Sequence, residues 1–221
     1  MINNILEYLD ELYPSPKCEL DYNRDYELLI AIVLSAQTTD KRVNKVTKVL
    51  FSTYSSIELL SRASVSDIED IIKEIGTFRR KSIYVRDIAL KLYNDGYDYV
   101  PNDREYIESM PGVGRKTANV FLSNIYDVPA IAVDTHVSRV SKRLGLTKNS
   151  DDVKKIEKKL EKKIPKNRWS KFHHQLVLFG RYKCKAINPE CDGCRLRGIC
   201  KYKKNRWLFI YFIHLLLQLL Q

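Results

Sequence analysis

An all-α protein of many short helices is predicted by three features of the sequence. Apolar residues recur at helical spacing over almost the whole chain, no clear run of alternating strand pattern appears, and helix-starting and helix-stopping residues punctuate the periodic stretches. The chain has 221 residues, enough for one large or two small cores. Its 44% hydrophobic content and scattered glycine and proline describe a folded chain.

Ile5, Leu6, Leu9 and Leu12 make an amphipathic first helix, which Pro14 and Pro16 stop. The run from Leu28 to Leu34 is apolar on all sides. It fits a buried strand or a buried helix, and its helical neighbours favour the helix. Val43, Val46, Val49 and Leu50 continue the spacing. Ser66-Asp67-Ile68-Glu69 has the form of a capping box for a helix through Ile71, Ile72 and Ile75, with Gly76 ending it. Ile83, Ile88, Leu90 and Leu92 mark another helix, closed near Asn94-Asp95-Gly96. Asn102, with Glu105 three residues on, is placed to cap the next. Further along, Val153, Ile156, Leu160 and Ile164 form one stripe among lysines and glutamates that solvate the outer face.

Lys and Arg total 38 against 27 Asp and Glu, a net charge of +11. That excess favours a polyanionic partner, either nucleic acid or an acidic membrane face. Met1–Glu11 shows no basic segment followed by an apolar one, so no signal peptide is expected and the compartment is the cytoplasm. In that reducing setting the five cysteines read as metal ligands or free thiols rather than disulfides.

The central motif is Met110-Pro111-Gly112-Val113-Gly114-Arg115-Lys116-Thr117-Ala118. Apolar residues on both sides give helix, tight turn, helix. Pro111 ends the first helix and the glycines permit the turn. With no side chains over the start of the second helix, its free backbone N–H groups can face an anion, and the positive end of the helix suits phosphate. Lys116 sits one turn in. Val133-Asp134-Thr135-His136 follows, with Asp134 eighteen residues after Lys116. Taken singly, Lys116 reads as a solvated helix lysine and Asp134 as an N-cap.

Cys184, Cys191, Cys194 and Cys200 give C-x6-C-x2-C-x5-C, a compact ligand loop turned by Pro189, Gly193 and Gly198. Four thiolates suit tetrahedral zinc or an iron–sulfur cluster, and the spacing does not separate the two. Lys183, Lys185, Arg195, Arg197 and Lys201 interleave with them as a basic rim fitted to phosphate. Cys18 lies outside the pattern. His173 and His174 read as packing residues rather than ligands.

With the hairpin, the Val-Asp-Thr-His segment and the cysteine loop in this order, the chain resembles the endonuclease III family of base-excision DNA glycosylases. Leu34-Ser35-Ala36-Gln37-Thr38-Thr39-Asp40 also looks like a family motif, and the likeness runs from about Glu19 to Lys204. The resemblance implies two helical lobes with the helix–hairpin–helix at the cleft between them. One is a six-helix barrel over about 22–128. The other joins 1–21 to 129–205 and holds a 4Fe–4S cluster on the four cysteines. It also implies action on duplex DNA that carries damaged pyrimidines or abasic sites; no oligomer interface is legible in the sequence, so a monomer is the default expectation.

By the same resemblance Lys116 is the amine that attacks C1′ of deoxyribose, and Asp134 is the essential carboxylate. The amine must shed its proton before attacking, which the helix end, Arg115 and partial burial would favour. Asp134 then either stabilises positive charge on the sugar or accepts the lysine proton. Gly112, Gly114, Arg115 and Thr117 belong to the DNA-binding hairpin. Gln37 is assigned to the gap left by the extruded nucleotide. Glu108 and His136 match positions that line or support the pocket. In Ile75-Gly76-Thr77-Phe78-Arg79 the family usually has a large apolar wedge after the glycine, and here it has Thr77. A mismatch glycosylase of the same superfamily, or a non-catalytic iron–sulfur DNA-binding protein, are the rival readings. Lys116 argues against the first, which needs no lysine nucleophile, and Lys116 together with Asp134 argues against the second.

The likeness ends near Lys204. The apolar segment within 206–221 is shorter than the ~20 residues needed to span a bilayer. It follows Lys201, Lys203, Lys204 and Arg206, so a membrane-surface helix, a partner-docking helix or an extra packing helix are all compatible with it.

Overall fold

The computed structural model describes residues 1–202, and every regular element among them is helical. The apolar segment within 206–221 lies outside the described residues. The chain divides into two compact units, Cys18–Val128 and a second that joins Met1–Lys17 to the chain from Pro129 onward.

The unit Cys18–Val128 is built around α2 (Asp25–Ser35), in which every residue from Tyr26 to Leu34 is buried. A helix that is apolar all round has no side to give to water and must be surrounded. Accordingly α3 (Asp40–Thr53), α6 (Phe78–Asn94) and α8 (Arg115–Ile125) pack on it. The helix satisfies its own backbone, so it needs no strand partner in a chain that supplies none. Its buried Glu27 accepts the N–H groups of Asn23 (2.7 Å) and Arg24 (3.3 Å), which holds the start of the helix. Asp25 accepts the Val100 N–H at 2.7 Å and ties in the segment before α7 (Arg104–Glu108).

Three local expectations shift. α5 (Val65–Ile72) is capped by Ser64, whose hydroxyl accepts the Asp67 N–H at 3.0 Å, two residues before the expected box. Ser64-x-x-Asp67 offers the same cap and acidic third residue, and Ser66 then lies inside the helix. The helix closes at Lys73, short of Gly76. α7 is capped by Asp103 rather than Asn102, its carboxylate accepting from Glu105 and Tyr106, where negative charge meets the positive helix end. On α6 the buried face is Val85, Ile88, Ala89 and Leu92, at i, i+3, i+4 and i+7, while Ile83 and Leu90 are exposed. Helix α4 (Ile57–Ser61) packs on α6, and α5 packs on α6 and α3.

The second unit contains α1 (Ile2–Leu12), α9 (Thr135–Arg143), α10 (Val153–Lys163), a 3₁₀ turn (Lys166–Arg168), α11 (Trp169–Leu178) and a π-helical turn (Phe179–Lys183). α1 lies on α11, and Asp10 fixes the pair by accepting from Arg168 (2.8 Å), Lys171 (2.7 Å) and Gln175 (2.9 Å). Partial burial pushes the Asp10 carboxyl up, but the hydrogen bonds from Lys171, Gln175 and Arg168 outweigh it and hold the group at about 2. α9 closes at Gly145, which takes the left-handed conformation (φ 74°). Its N–H donates to Lys142 and the Leu146 N–H to Ser141, a Schellman closure. On α10, Ile156 and Leu160 are buried with Ile164 just beyond, and Val153 at the start of the expected stripe is exposed. Among the described residues no helix is long and apolar enough to cross a membrane.

Candidate active site and cysteine loop

The central motif folds as α7, a tight turn and α8. The turn is closed by the Val113 N–H on the Met110 carbonyl at 3.1 Å. The two glycines serve different ends. Gly112 has φ 77°, and a Cβ there would sit 2.5 Å from Cδ2 of Tyr84. Backbone conformation and packing both demand glycine. Gly112→Ala is therefore expected to cost about 3 kcal/mol from left-handed strain plus overpacking. That lowers the melting temperature by roughly 6–12 °C, measured by circular dichroism. Gly114, by contrast, is extended (φ −108°), and an added Cβ would meet nothing within 4 Å. The fold itself does not require a glycine there. It is the N-cap of α8, and no side chain caps that helix.

Arg115 and Lys116 are exposed and Thr117 is half-buried. The expected partial burial of Lys116 is not found, so exclusion of water from the amine falls to whatever binds over it. Glu108 is exposed and accepts from Arg104 at 3.0 Å, one turn back along α7. Gln37 is exposed at the end of α2, in the left-handed conformation at φ 58°. Thr77, the N-cap of α6, has the same φ. For a β-branched residue this conformation is a true outlier, costing on the order of 1–3 kcal/mol. The two turns are adjacent, since a Cβ on Gly76 would lie 3.8 Å from the Gln37 carbonyl oxygen.

In the other unit, Asp134 is the N-cap of α9, and its Oδ1 accepts the Val137 N–H at 2.7 Å. The capping reading is correct, and it leaves the other carboxylate oxygen without a hydrogen bond among the described residues. Two residues on, His136 Nδ1 lies 3.2 Å from Arg139 Nη2. A guanidinium only donates, so Nδ1 accepts and the ring proton sits on Nε2. Arg139 also donates to the carbonyls of Gly180 (2.7 Å) and Cys184 (3.2 Å). Arg143, one turn later, donates to the carbonyls of Lys185 (2.6 Å) and Ala186 (3.1 Å) and lies 3.4 Å from Cys184 Sγ. Gly180 makes the approach possible, because a Cβ there would come within 2.9 Å of His136 Cβ. The start of α9 is thus stitched to the π-helical turn and the cysteine loop. Sequence reasoning did not single out Arg139 and Arg143, although their four-residue spacing behind His136 was visible.

All four loop cysteines line one cavity, walled in part by the apolar Leu144 and Phe179. No disulfide joins them. Burial pushes the Cys184 thiol up, against the pull of the Arg143 guanidinium, and burial likewise raises Cys194. Among the described residues no three His, Cys, Asp or Glu side chains are grouped to hold a single metal ion. The basic rim is only partly open. Lys185 is paired with Glu190 (2.8 Å), Arg197 with Asp192 (3.4 Å) and Arg195 with Glu11. Such exposed pairs are worth little and exchange readily for other anions. Cys18 packs on the core of the α2 unit, and in the other unit His173 is buried with its ring edge-on to His174.

Residues 30–166 match the family model described as HhH-GPD superfamily base excision DNA repair protein. The endonuclease III of Bacillus subtilis is 44% identical over 201 residues, covering 91% of this chain and 92% of its own length. That of Escherichia coli is 39% identical over 201 residues, covering 91% and 95%. A solved structure of a trapped endonuclease III–DNA covalent intermediate, in an estranged-adenine complex, superposes with a TM-score of 0.88. It is 45% identical, with 93% of this chain and 97% of that one covered. A thermostable thymine-DNA glycosylase shares the fold at a TM-score of 0.80 and 23% identity. Hairpin, capped aspartate and cysteine loop thus stand in a chain that belongs to the endonuclease III family of the HhH-GPD superfamily.

Proposed function

We propose that the chain is a bifunctional DNA glycosylase and abasic-site lyase of base excision repair. It removes oxidised pyrimidines from duplex DNA and then cleaves 3′ to the abasic site by β-elimination. The observation that carries this reading is the exposed Lys116 amine, second residue of a helix whose N–H end no side chain caps, in a chain of this family. A relative captured as a covalent intermediate with DNA supports the same chemistry.

The uncapped start of α8 and the open space at Gly114 form an anion seat for a backbone phosphate. With the strand held there, the damaged nucleotide leaves the stack and Gln37 enters the gap. The neutral Lys116 amine forms a bond to C1′ as the bond from C1′ to the base breaks, the base leaving with a proton. Opening of the sugar ring gives a Schiff base. Loss of a C2′ proton then expels the 3′ phosphate, and water releases the enzyme. Asp134, oriented by its cap bond to Val137, supplies negative charge toward the sugar with its other oxygen, or takes the lysine proton. Glu108 and His136 are assigned to the pocket's lining and support. With Nδ1 taken by Arg139, His136 keeps its Nε2 proton as a donor. The division into a barrel over 22–128 and a cluster lobe of 1–21 with 129–205 is part of this proposal; residues 18–21 fall in the unit Cys18–Val128, and 203–205 lie outside the described residues.

Cys184, Cys191, Cys194 and Cys200 are assigned to a 4Fe–4S cluster. Around a single tetrahedral zinc, sulfurs stand about 3.8 Å apart, at zinc–sulfur bonds near 2.3 Å. With no three donors grouped for a single ion among the described residues, four thiols that line one cavity fit a larger, polynuclear group. Such a group would accept the thiolates that burial otherwise disfavours and would rigidify the loop. Protein prepared without air is expected to be brown, absorbing broadly in the visible. A colourless, zinc-loaded protein would overturn the assignment.

The function is tested by borohydride reduction during incubation with duplex DNA carrying thymine glycol or an abasic site. A covalent adduct is expected, and its absence would overturn the lyase reading. The anion seat has its own test. Gly114→Ala should leave the melting temperature unchanged within about 1 °C, because nothing crowds the new methyl group. Binding to abasic duplex, read by fluorescence anisotropy, should weaken about 10-fold as the phosphate is held off. Affinity of the unaltered chain should also fall steeply with salt, about 10³-fold from 50 to 200 mM for some six phosphate contacts.

A further inference from the structure

The strongest unassigned feature is a lysine the reaction does not use. Lys81 stands in the first turn of α6 in the run Arg79-Arg80-Lys81, which reads as surface. Arg79 and Arg80 are exposed, but Lys81 is 4% exposed. Its ammonium donates to the carbonyls of Leu34 (2.9 Å) and Ala36 (2.6 Å) and to the Thr38 hydroxyl (3.4 Å). Those bonds engage all three of its donors. Two of the acceptors, Ala36 and Thr38, are the residues immediately before and after Gln37. The backbone N–H of Lys81 donates to the Thr77 carbonyl at 3.2 Å. One residue therefore reaches both left-handed turns, through its main chain to Thr77 and through its side chain to the flanks of Gln37.

We propose that Lys81 is a positioning residue for base extrusion, holding Gln37 in its left-handed conformation and locking the Gln37 and Thr77 turns into one rigid wedge. The reading rests on the assignment of Gln37 to the gap in the duplex. Three observations support it. A glutamine at φ 58° must be held there by its surroundings: the Thr38 N–H closes the turn on the Ser35 carbonyl at 3.0 Å, and from outside the turn Lys81 ties down the residue on either side of Gln37. A buried cation satisfied by carbonyls, with no carboxylate bonded to it among the described residues, is a poor device for stability, and an apolar residue of the same volume would serve a core better. Burial also disfavours its charged form. The side chain instead replaces the amide donors that the last turn of α2 lacks, and it places positive charge at the negative end of that helix. Thr77 is too small to wedge the duplex by bulk, so in this chain the fixed position of Gln37 carries more of the task.

The test is a double-mutant cycle of Lys81→Met with Gln37→Ala, read on two substrates. The first is a fully paired duplex carrying thymine glycol, whose base must be extruded. The second is a single-stranded abasic oligonucleotide, trapped with borohydride, which needs no extrusion. Lys81→Met is expected to slow excision from the duplex at least 10-fold while changing single-strand trapping less than 2-fold. In the cycle its effect should vanish once Gln37 is alanine, because Lys81 acts through that side chain. Losses that multiply in the double variant, equal losses on both substrates, or no loss at all would overturn the proposal. If Gln37→Ala alone leaves duplex excision unchanged, the assignment of Gln37 fails and the proposal falls with it. That outcome is separate from one in which Gln37→Ala is slow and Lys81→Met is not. Should Lys81→Met not fold, the cycle is run with Lys81→Gln, which keeps two donors. Loss of folding in both variants would assign Lys81 to stability alone.

Discussion

Lys116→Ala is expected to abolish the borohydride-stable adduct and to cut strand cleavage at abasic sites by about 10³-fold or more, because the covalent route loses its nucleophile. No neighbour on the hairpin can substitute. Arg115 is a guanidinium that stays protonated, and Thr117 offers only a half-buried hydroxyl. The fold should not register the change. Lys116 is exposed on a helix, where alanine is the best helix former, so the melting temperature should move by less than about 1 °C. Binding to abasic duplex should survive, with the slope of log affinity against log salt reduced by about one phosphate contact. Lys73→Ala, at an exposed lysine of the same unit, is the control and should keep the adduct. An undiminished adduct in Lys116→Ala would place the nucleophile elsewhere.

Asp134→Asn is expected to slow base release by about 10²–10⁴-fold while leaving the structure intact. The argument turns on the cap. Asparagine caps a helix about as well as aspartate, so the bond to the Val137 N–H survives and only the charge is lost. Asp134→Ala removes both and should cost about 1 kcal/mol of stability in addition to the rate. Comparing the two by excision kinetics and thermal melting separates a chemical carboxylate from a structural one. A fully active Asp134→Asn beside an impaired Asp134→Ala would reduce the residue to a helix cap.

What could be read from the chain alone was what depends on local pattern. Periodicity located the helices, and the apolar circumference of 28–34 marked the one that had to be enclosed. Boundaries slipped where two capping residues competed, as with Ser64 against Ser66 and Asp103 against Asn102, since a cap is decided by geometry over a single residue. Exposed Ile83, Leu90 and Val153 were misplaced because an apolar residue at the margin of a stripe carries no sign of which way it turns. The cysteines and the Gly-Val-Gly turn declared themselves by spacing. Lys81 and the Arg139–Arg143 pair did not, because their partners are main-chain carbonyls far along the chain, and a carbonyl leaves no mark in a sequence. The left-handed Gln37 and Thr77 were equally hidden, since neither residue type advertises that conformation.

The enclosure of α2 has a mechanical corollary. Amide protons from Leu28 to Leu34 should exchange with solvent only when that unit opens as a whole. Gln37, three residues beyond Leu34, faces water. Burial thus drops from its maximum to its minimum within one helical turn, as at the tip of a chisel braced along its shaft. A load on that tip from stacked bases would pass straight into the best-supported segment of the molecule, with almost no compliant length between to absorb it by bending.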